Sequence, residues 1–241
     1  MIENYGELSY ILDTLQPLIS LKELTIYGSL ELKCFPHIQV LCSLSILGCD
    51  FEVLTTQLQL CMSLSCLHIN DCPNLKLLPN LGESCFVTSL RIQDCNNIIR
   101  LPEGSLKYLK SLHIGGYCKE LDAFPNLNFI QHSHTTLEVL ELKGWAKLNS
   151  LLDKIQHFTT FKTLHSNDFD GIKTLPEWLG SFSSLKKLKI SECKNLMYLP
   201  TTRLIKLEEL NILYCSKLKK RCAKGSREEW FKIAHIPKII M

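Results

Sequence analysis

The sequence predicts an α/β-type solenoid, in which short repeats stack and contribute their strands to one parallel sheet. Two stretches carry the first evidence: "LHINDCPNLKLLP" at 67–79 and "LKISECKNLMYLP" at 188–200 share Leu, Ile, Cys, Asn, Leu, Leu and Pro at equal offsets. Both fit the pattern L-x-x-L-x-I-x-x-C-x-x-L-x-x-L-P, which recurs at intervals of 20 to 28 residues. A repeat of this period indicates stacked supersecondary units rather than one globular core.

Nine such units can be followed along the chain, each opening on an apolar residue. These positions are Leu21, Leu41, Leu64, Val87, Leu109, Leu137, Phe161, Leu185 and Leu207. We expect residues 1–20 to be the tail of an incomplete preceding repeat whose strand is missing, residues 21–221 to be the nine repeats, and residues 222–241 to be a C-terminal cap. An apolar end left uncovered in this way would favour self-association.

Each unit combines a strand-like half with an irregular half. Apolar and polar residues alternate at the start, as in Leu67-His68-Ile69, which is typical of a short, half-buried strand. After the cysteine, apolar residues come at every third position and Pro or Gly follows, which favours a 3₁₀-like return path. The predicted fold is therefore a leucine-rich-repeat horseshoe, with a parallel β-sheet on the concave side and mostly irregular, 3₁₀ or short-helical segments on the convex side.

The composition argues against a transmembrane helix and shows an uneven distribution of charge. The chain has 241 residues and a net charge of +3, and it contains no run of about 18 apolar residues that could span a bilayer. The charge is unevenly placed: residues 185–241 carry 14 Lys/Arg against 5 Asp/Glu, whereas residues 1–184 carry 13 against 19. Such polarity favours contact with another charged surface.

The pattern of the 12 cysteines does not indicate a disulfide framework. The sequence has no Asn-x-Ser/Thr acceptor and no export signal, which favours a reducing compartment, cytoplasmic or nucleocytoplasmic. Most cysteines recur three residues after the strand isoleucine, where the chain turns inward, and Cys118 comes one residue late. This structural ladder consists of Cys49, Cys72, Cys95, Cys193 and Cys215. Because no Cys-x-x-Cys pair occurs, a metal site is not predicted.

The outward strand position, between the two inward apolar residues, is the predicted partner-binding surface. In the third to eighth repeats it holds His68, Arg91, His113, Glu141, His165 and Lys189. Parallel strands would place these side chains one above another on the concave face, which solenoids commonly use for binding. The alternative is that the position is merely a polar surface.

The fifth to seventh repeats depart from the pattern. The interval before Leu137 widens to 28 residues through 126–134, and Trp145 and Phe169 replace the ladder cysteine. One interpretation is a kink in the solenoid, with the aromatic rings filling extra space. The other is a binding hot spot formed by partly exposed aromatic side chains. The sequence leaves both open.

No catalytic residues are predicted. Asp168 and Asp170 read as turn residues, and His132 and His134 lack a third metal ligand. The basic run at 217–224 is interpreted as the solvated end of the solenoid, so nucleic acid is not the expected partner. No phosphate loop is present, so no cofactor is expected in this chain, and an enzyme is the least expected class.

The repeats, together with the closing "EEWFKIAHIPKI" from Glu228 to Ile239, resemble the C-terminal leucine-rich-repeat region of plant coiled-coil-type NLR disease resistance proteins, which contain NB-ARC and leucine-rich-repeat regions. The resemblance implies a role in the defence response: sensing pathogen effectors or a guarded host protein, and holding an adjoining nucleotide-binding module at rest. We expect four residues of this ending to cover the last coil while three others stay in water. The first set is Trp230, Phe231, Ile233 and Ile236, and the second is Lys232, His235 and Lys238.

Two other classes of repeat protein are alternatives to this interpretation. An F-box-type ubiquitin-ligase adaptor would bind substrates through similar repeats, but it generally carries a longer helix between strands than segments such as 74–79 allow. An extracellular repeat receptor would be expected to carry glycosylation acceptors.

Overall fold

The computed structural model describes residues 2–3, 20–28, 38–54, 58, 61–78, 80–81, 86–117, 121–151, 153–226 and 228–241. The chain divides into two compact units. Unit 1 comprises Met1–Cys118 and Pro125–Thr136, and unit 2 comprises Lys119–Phe124 and Leu137–Met241.

The described residues of unit 1 include six parallel strands, which pair in chain order. They are β1 (Ile2–Glu3), β2 (Glu23–Tyr27), β3 (Ser43–Leu47), β4 (Cys66–Asn70), β5 (Ser89–Gln93) and β6 (Ser111–Gly115). The pairing of Ile2 with Ile26 corrects one expectation, because a short strand of the preceding repeat is present. Residues 4–19, which make up most of the predicted N-terminal tail, lie outside the described residues.

The part of unit 2 that the structure describes includes five parallel strands, again paired in chain order. They are β7 (Val139–Lys143), β8 (Thr163–Asn167), β9 (Lys187–Ser191), β10 (Glu209–Leu213) and β11 (Lys238–Ile240). Strand β11 lies in the segment predicted only as a cap, and Lys238 pairs with Glu209.

The inward strand residues form the core of each unit. Leu44, Leu67 and Leu90 are at most 1% exposed, and register places them side by side on neighbouring strands. Burying a leucine or isoleucine side chain stabilises the fold by about 1.5–3 kcal/mol. A single five-residue strand cannot bury its own side chains, so this stabilisation appears only when repeats stack. In unit 2 the second inward position of β8 is Ser166, fully buried where the other strands of this unit carry Leu or Ile.

The return segments are short. They include 3₁₀ helices at Asn128–Ile130, Asp153–His157 and Glu177–Ser181, and two helices near the C-terminus, α1 (Ser216–Arg221) and α2 (Trp230–Ile233). None of the helices in the described part of the chain is long and apolar enough to cross a membrane. The predicted leucine-rich-repeat solenoid, with a parallel sheet and 3₁₀ or short-helical connections, is confirmed.

The residue after most strands adopts a left-handed backbone conformation, which the sequence analysis did not identify. Its φ angle lies between 52° and 67° in eight repeats, at Gly28, Gly48, Asp71, Asp94, Gly116, Asp168, Glu192 and Tyr214. The N–H of this residue donates to the next strand, as when Asp94 N–H donates to the Gly115 carbonyl at 3.1 Å. Glycine and aspartate tolerate this conformation better than other residues.

Candidate protein-recognition surface

The outward strand residues of unit 1 lie on neighbouring strands at equal register. We call this set the unit 1 column; it consists of Thr25, Ser45, His68, Arg91 and His113. Three of the six predicted contact residues therefore lie side by side here. Strands β3 to β6, which are described in full, contain no Asp or Glu.

Hydrogen bonds hold the charged part of the unit 1 column in place. Arg91 Nη2 lies 3.0 Å from His113 Nδ1, and Arg91 Nη1 donates to Gln93 Oε1 at 3.0 Å. A guanidinium group can only donate, so His113 Nδ1 accepts this bond. The neutral His113 ring then carries its proton on Nε2, which lies 2.9 Å from Ser111 Oγ. Arg91 is thus ordered before any partner binds.

His68 is less tightly held and carries less charge than its position suggests. Its Nε2 lies 3.4 Å from Ser89 Oγ. Burial of the ring, followed by the nearby charge of Arg91, holds the pKa of His68 below its usual value. Arg91 therefore supplies the fixed positive charge of this column.

In unit 2 the other three predicted residues also lie side by side. The unit 2 column consists of Glu141, His165, Lys189 and Asn211. His165 Nδ1 lies 3.5 Å from Glu141 Oε2, with both side chains about one-fifth exposed (17% and 22%). This column mixes acidic, imidazole and basic groups, in contrast to that of unit 1.

Glu141, His165 and Ser191 resemble a carboxylate–imidazole–hydroxyl triad, because His165 Nε2 lies 2.7 Å from Ser191 Oγ. The proton of Ser191, however, is donated to Asn167 Oδ1 at 3.0 Å. His165 Nε2 must then be the donor to Ser191, so in this arrangement the ring does not act as a base toward that hydroxyl. The network orients side chains, which suits recognition rather than nucleophilic catalysis.

The five ladder cysteines are buried, at most 1% exposed. Each thiol donates to the carbonyl two residues earlier, at 3.3 to 3.5 Å, and Cys72 to Asn70 is one example. Cys72, Cys95, Cys193 and Cys215 form no disulfide bond among the described residues. Contact with Cys215 and burial raise the pKa of the Cys193 thiol far above its usual range, so this group stays protonated and unreactive. Cys118 lies outside the described residues.

The interpretation of Trp145 and Phe169 as partly exposed hot-spot residues is wrong. They are 4% and 0% exposed, and the Phe124 ring lies 5.0 Å and 6.0 Å from theirs. Trp145 Nε1 donates to the Leu121 carbonyl at 2.6 Å. Glycine makes the space, because a Cβ at Gly144 would lie 2.7 Å from the Phe169 ring. These aromatic residues fill the core where a cysteine would leave it empty.

A third aromatic residue fills the ladder position in unit 1, and the sequence analysis missed it. Tyr117 comes three residues after the strand isoleucine, is fully buried, and donates its hydroxyl to the Ile92 carbonyl at 3.0 Å. The spacing from Ile114 alone could have identified it, because every other ladder residue has the same offset.

The C-terminal segment covers the last repeats differently from the expectation. Ile233 and Ile236 are buried, but Trp230 is only half-buried and Phe231 is 57% exposed. Lys232, expected to stay in water, is 13% exposed and donates to the Leu199 carbonyl at 3.1 Å. Turning backbone needs polar partners as well as apolar cover, and that requirement draws this lysine inward.

Comparison with known proteins places these repeats in context. Residues 127–218 match the R13L1/DRL21 leucine-rich-repeat family. The chain is 27% identical over 232 residues to the disease resistance protein RPP4 of Arabidopsis thaliana, covering 82% of this chain and 19% of that protein. It is also 27% identical over 151 residues to the Arabidopsis thaliana protein SUPPRESSOR OF npr1-1, CONSTITUTIVE 1, covering 59% and 10%.

The chain therefore spans about a fifth or less of the length of these curated relatives (19% and 10%). Among solved structures it is similar to the leucine-rich-repeat domain of the type III effector XCV3220 (XopL), with a TM-score of 0.49 and 22% identity over 95% of this chain and 71% of that one. The repeat pattern and the parallel strands of both units identify the chain as a leucine-rich-repeat region, and its sequence is similar to that of the plant disease resistance protein RPP4.

Proposed function

We propose that this region is the protein-recognition and regulatory part of a plant intracellular immune receptor. Its partner is a pathogen effector, a guarded host protein or an adjoining nucleotide-binding module. The similarity to disease resistance proteins supports the immune setting. The buried thiols of Cys72, Cys95, Cys193 and Cys215, which form no disulfide bond among the described residues, support a reducing compartment.

The observation that carries the proposal is the fixed arrangement of charged side chains on the strands. Arg91 is held by Gln93 and His113, and His165 by Glu141 and Ser191. Side chains ordered in advance lose less conformational entropy when a partner binds. A patterned charged surface on a rigid sheet discriminates between partners by charge and shape.

Recognition, rather than chemistry, is the proposed mechanism. No cluster of three His, Cys, Asp or Glu suited to a metal occurs within the described ranges. The F-box adaptor alternative is less well supported, since the described 3₁₀ helices between strands contain only three to five residues.

The first experiment tests the two columns by charge reversal. Arg91→Glu and Lys189→Glu are compared with Arg100→Glu and Lys173→Glu, which change exposed return segments by the same charge. We expect proteins captured from infected plant tissue to be lost from the column variants and kept by the controls, with thermal stability altered by no more than about 1 kcal/mol. Equal capture by all four variants would place the partner elsewhere.

The second experiment tests the immune setting. Plants in which the gene is disrupted are infected alongside plants carrying the wild-type gene or its Arg91→Glu form. We expect pathogen growth to increase in both altered lines. Unchanged growth of every strain tested in the disrupted line would contradict a role in defence.

A further inference from the structure

Tyr214 is an unusual residue for its position. It follows β10 and takes the left-handed conformation, with φ of 56°, that Gly or Asp adopts after several other strands. Its side chain is 82% exposed, more than the other large apolar side chains described as exposed. A bulky residue in this backbone region is strained.

Neither feature of Tyr214 helps the fold. The exposed ring buries little apolar surface, and the turn itself would be formed at lower cost by glycine or aspartate. Strain combined with exposure is a reason to look for a binding role. Exposed tyrosines are well suited to it, since a rigid ring with a hydroxyl contributes large contact area for little lost entropy.

The surroundings of Tyr214 are basic. Residues 214–226 contain four lysines and one arginine, and no carboxylate: Lys217, Lys219, Lys220, Lys224 and Arg221. Arg221 is paired with Glu228 at 2.9 Å, so the lysines supply the unneutralised charge of this segment. Helix α1 buries Leu218 and presents its three lysines to solvent. Two of the neighbouring cations are already positioned, since Lys217 Nζ lies 2.7 Å from Asn195 Oδ1 and Lys194 Nζ lies 3.0 Å from Asp170 Oδ2.

A shallow concavity of about 390 Å³ adjoins the ring, lined by Glu192, Lys194 and Tyr214. A ligand that covers Tyr214 must therefore offer an apolar group to the ring and keep its acids toward α1, away from Glu192. A peptide can alternate such groups along its length. A nucleic-acid strand carries a phosphate at every step and would bring charge past Glu192.

We propose that Tyr214 and the basic face of α1 form a second docking surface, for an acidic segment of a protein partner whose apolar side chain packs on the Tyr214 ring. The inference rests on the proposed recognition function and adds a surface and a partner chemistry to it. The two columns on the strands are not part of this surface.

The test uses the whole chain and three probes. These are a dye-labelled peptide of about ten glutamates with two central leucines, its glutamine counterpart, and a uridine oligonucleotide of about the same charge. We expect the glutamate peptide to bind best. Tyr214→Gly should lower its affinity about tenfold or more, as should the pair Lys219→Glu and Lys220→Glu. Tyr27→Asn, at a tyrosine that is 50% exposed in unit 1, is the control and should leave binding unchanged.

Thermal unfolding of the same variants separates binding from structure. Because it relieves the backbone, Tyr214→Gly should raise the melting temperature while it weakens binding. A lower melting temperature would show that the ring supports the fold, and unchanged affinity would show that it does not contact the peptide. Either result overturns the proposal, as does tighter binding of the oligonucleotide or no binding of the glutamate peptide by the wild type. Loss of this surface alone would leave Arg91-dependent capture intact, so the two proposals fail separately.

Discussion

Lys232 Nζ lies 2.8 Å from Glu229 Oε2, and the two side chains are 13% and 4% exposed. The pair ties the C-terminal segment to the eighth repeat, because Glu229 accepts the Leu199 N–H at 2.9 Å while Lys232 donates to the Leu199 carbonyl. The segment thus completes the hydrogen bonding of a distant backbone turn as well as covering apolar surface.

Breaking this pair on one side should destabilise the protein strongly. Glu229→Ala leaves a buried ammonium without its carboxylate and should lower the free energy of unfolding by about 3–5 kcal/mol. Lys232→Met together with Glu229→Gln should cost less than the sum of the single changes, since neither charge is then left alone. Denaturant titration measures these differences, and strict additivity would show that the contact is not coupled.

Tyr117 should prove important mainly through its ring. Tyr117→Phe removes the hydroxyl that meets the Ile92 carbonyl and should cost about 1 kcal/mol. Tyr117→Ala opens a cavity in the core and should cost about 3–5 kcal/mol. Calorimetric or denaturant-induced unfolding separates the two, and equal costs would contradict the packing role.

Ser166 offers a stabilising change. It is fully buried at an inward strand position, and its hydroxyl has no hydrogen-bond partner among the described residues. Ser166→Ala removes an unsatisfied polar group and should raise the free energy of unfolding by about 1–2 kcal/mol. Ser184→Ala, at a less buried serine whose hydroxyl is also unpartnered, serves as a comparison and should gain less. A loss of stability in Ser166→Ala would refute this account.

His68 should make unit 1 less stable in mild acid. Because its pKa is lowered in the folded protein, the unfolded chain binds the proton more tightly, and stability falls as pH drops below the ordinary histidine value of about 6.5. The groups that face the ring are Arg91, His113 and Ser89. His68→Gln should lose less stability than the wild type between about pH 7.5 and about pH 5.5. Equal pH dependence would show that other groups dominate.

The ladder cysteines should be inert in the native protein. Thiol labelling of Cys72, Cys95, Cys193 and Cys215 should be slow without denaturant and fast after unfolding, because burial keeps the reagent away from these thiols. Cys66 and Cys42, which are only partly buried, provide the internal control and should react first. Rapid native labelling of the four would exclude the structural role.

The pattern of residues was sufficient to predict the strands and the side chains that face outward from them. Strand residues alternate between core and surface, so the period of Leu67, His68 and Ile69 was enough to place His68 outward. The repeat spacing also placed each predicted contact residue beside those on neighbouring strands, because equal offsets in parallel strands produce equal register.

Which side chains fill the core and which remain exposed to solvent became clear only from the folded structure. Phe169 is buried because Gly144, in the preceding repeat, leaves room for its ring, and no local pattern links two residues so far apart. Lys232 turns inward because a backbone turn more than thirty residues earlier needs a donor (Leu199, 33 residues away). Tyr214 stays outside because the left-handed turn after β10 directs it to solvent. The space available to a side chain and the backbone groups that need hydrogen-bond partners depend on contacts between repeats. The alternation of apolar and polar residues, in contrast, is a property of each single repeat.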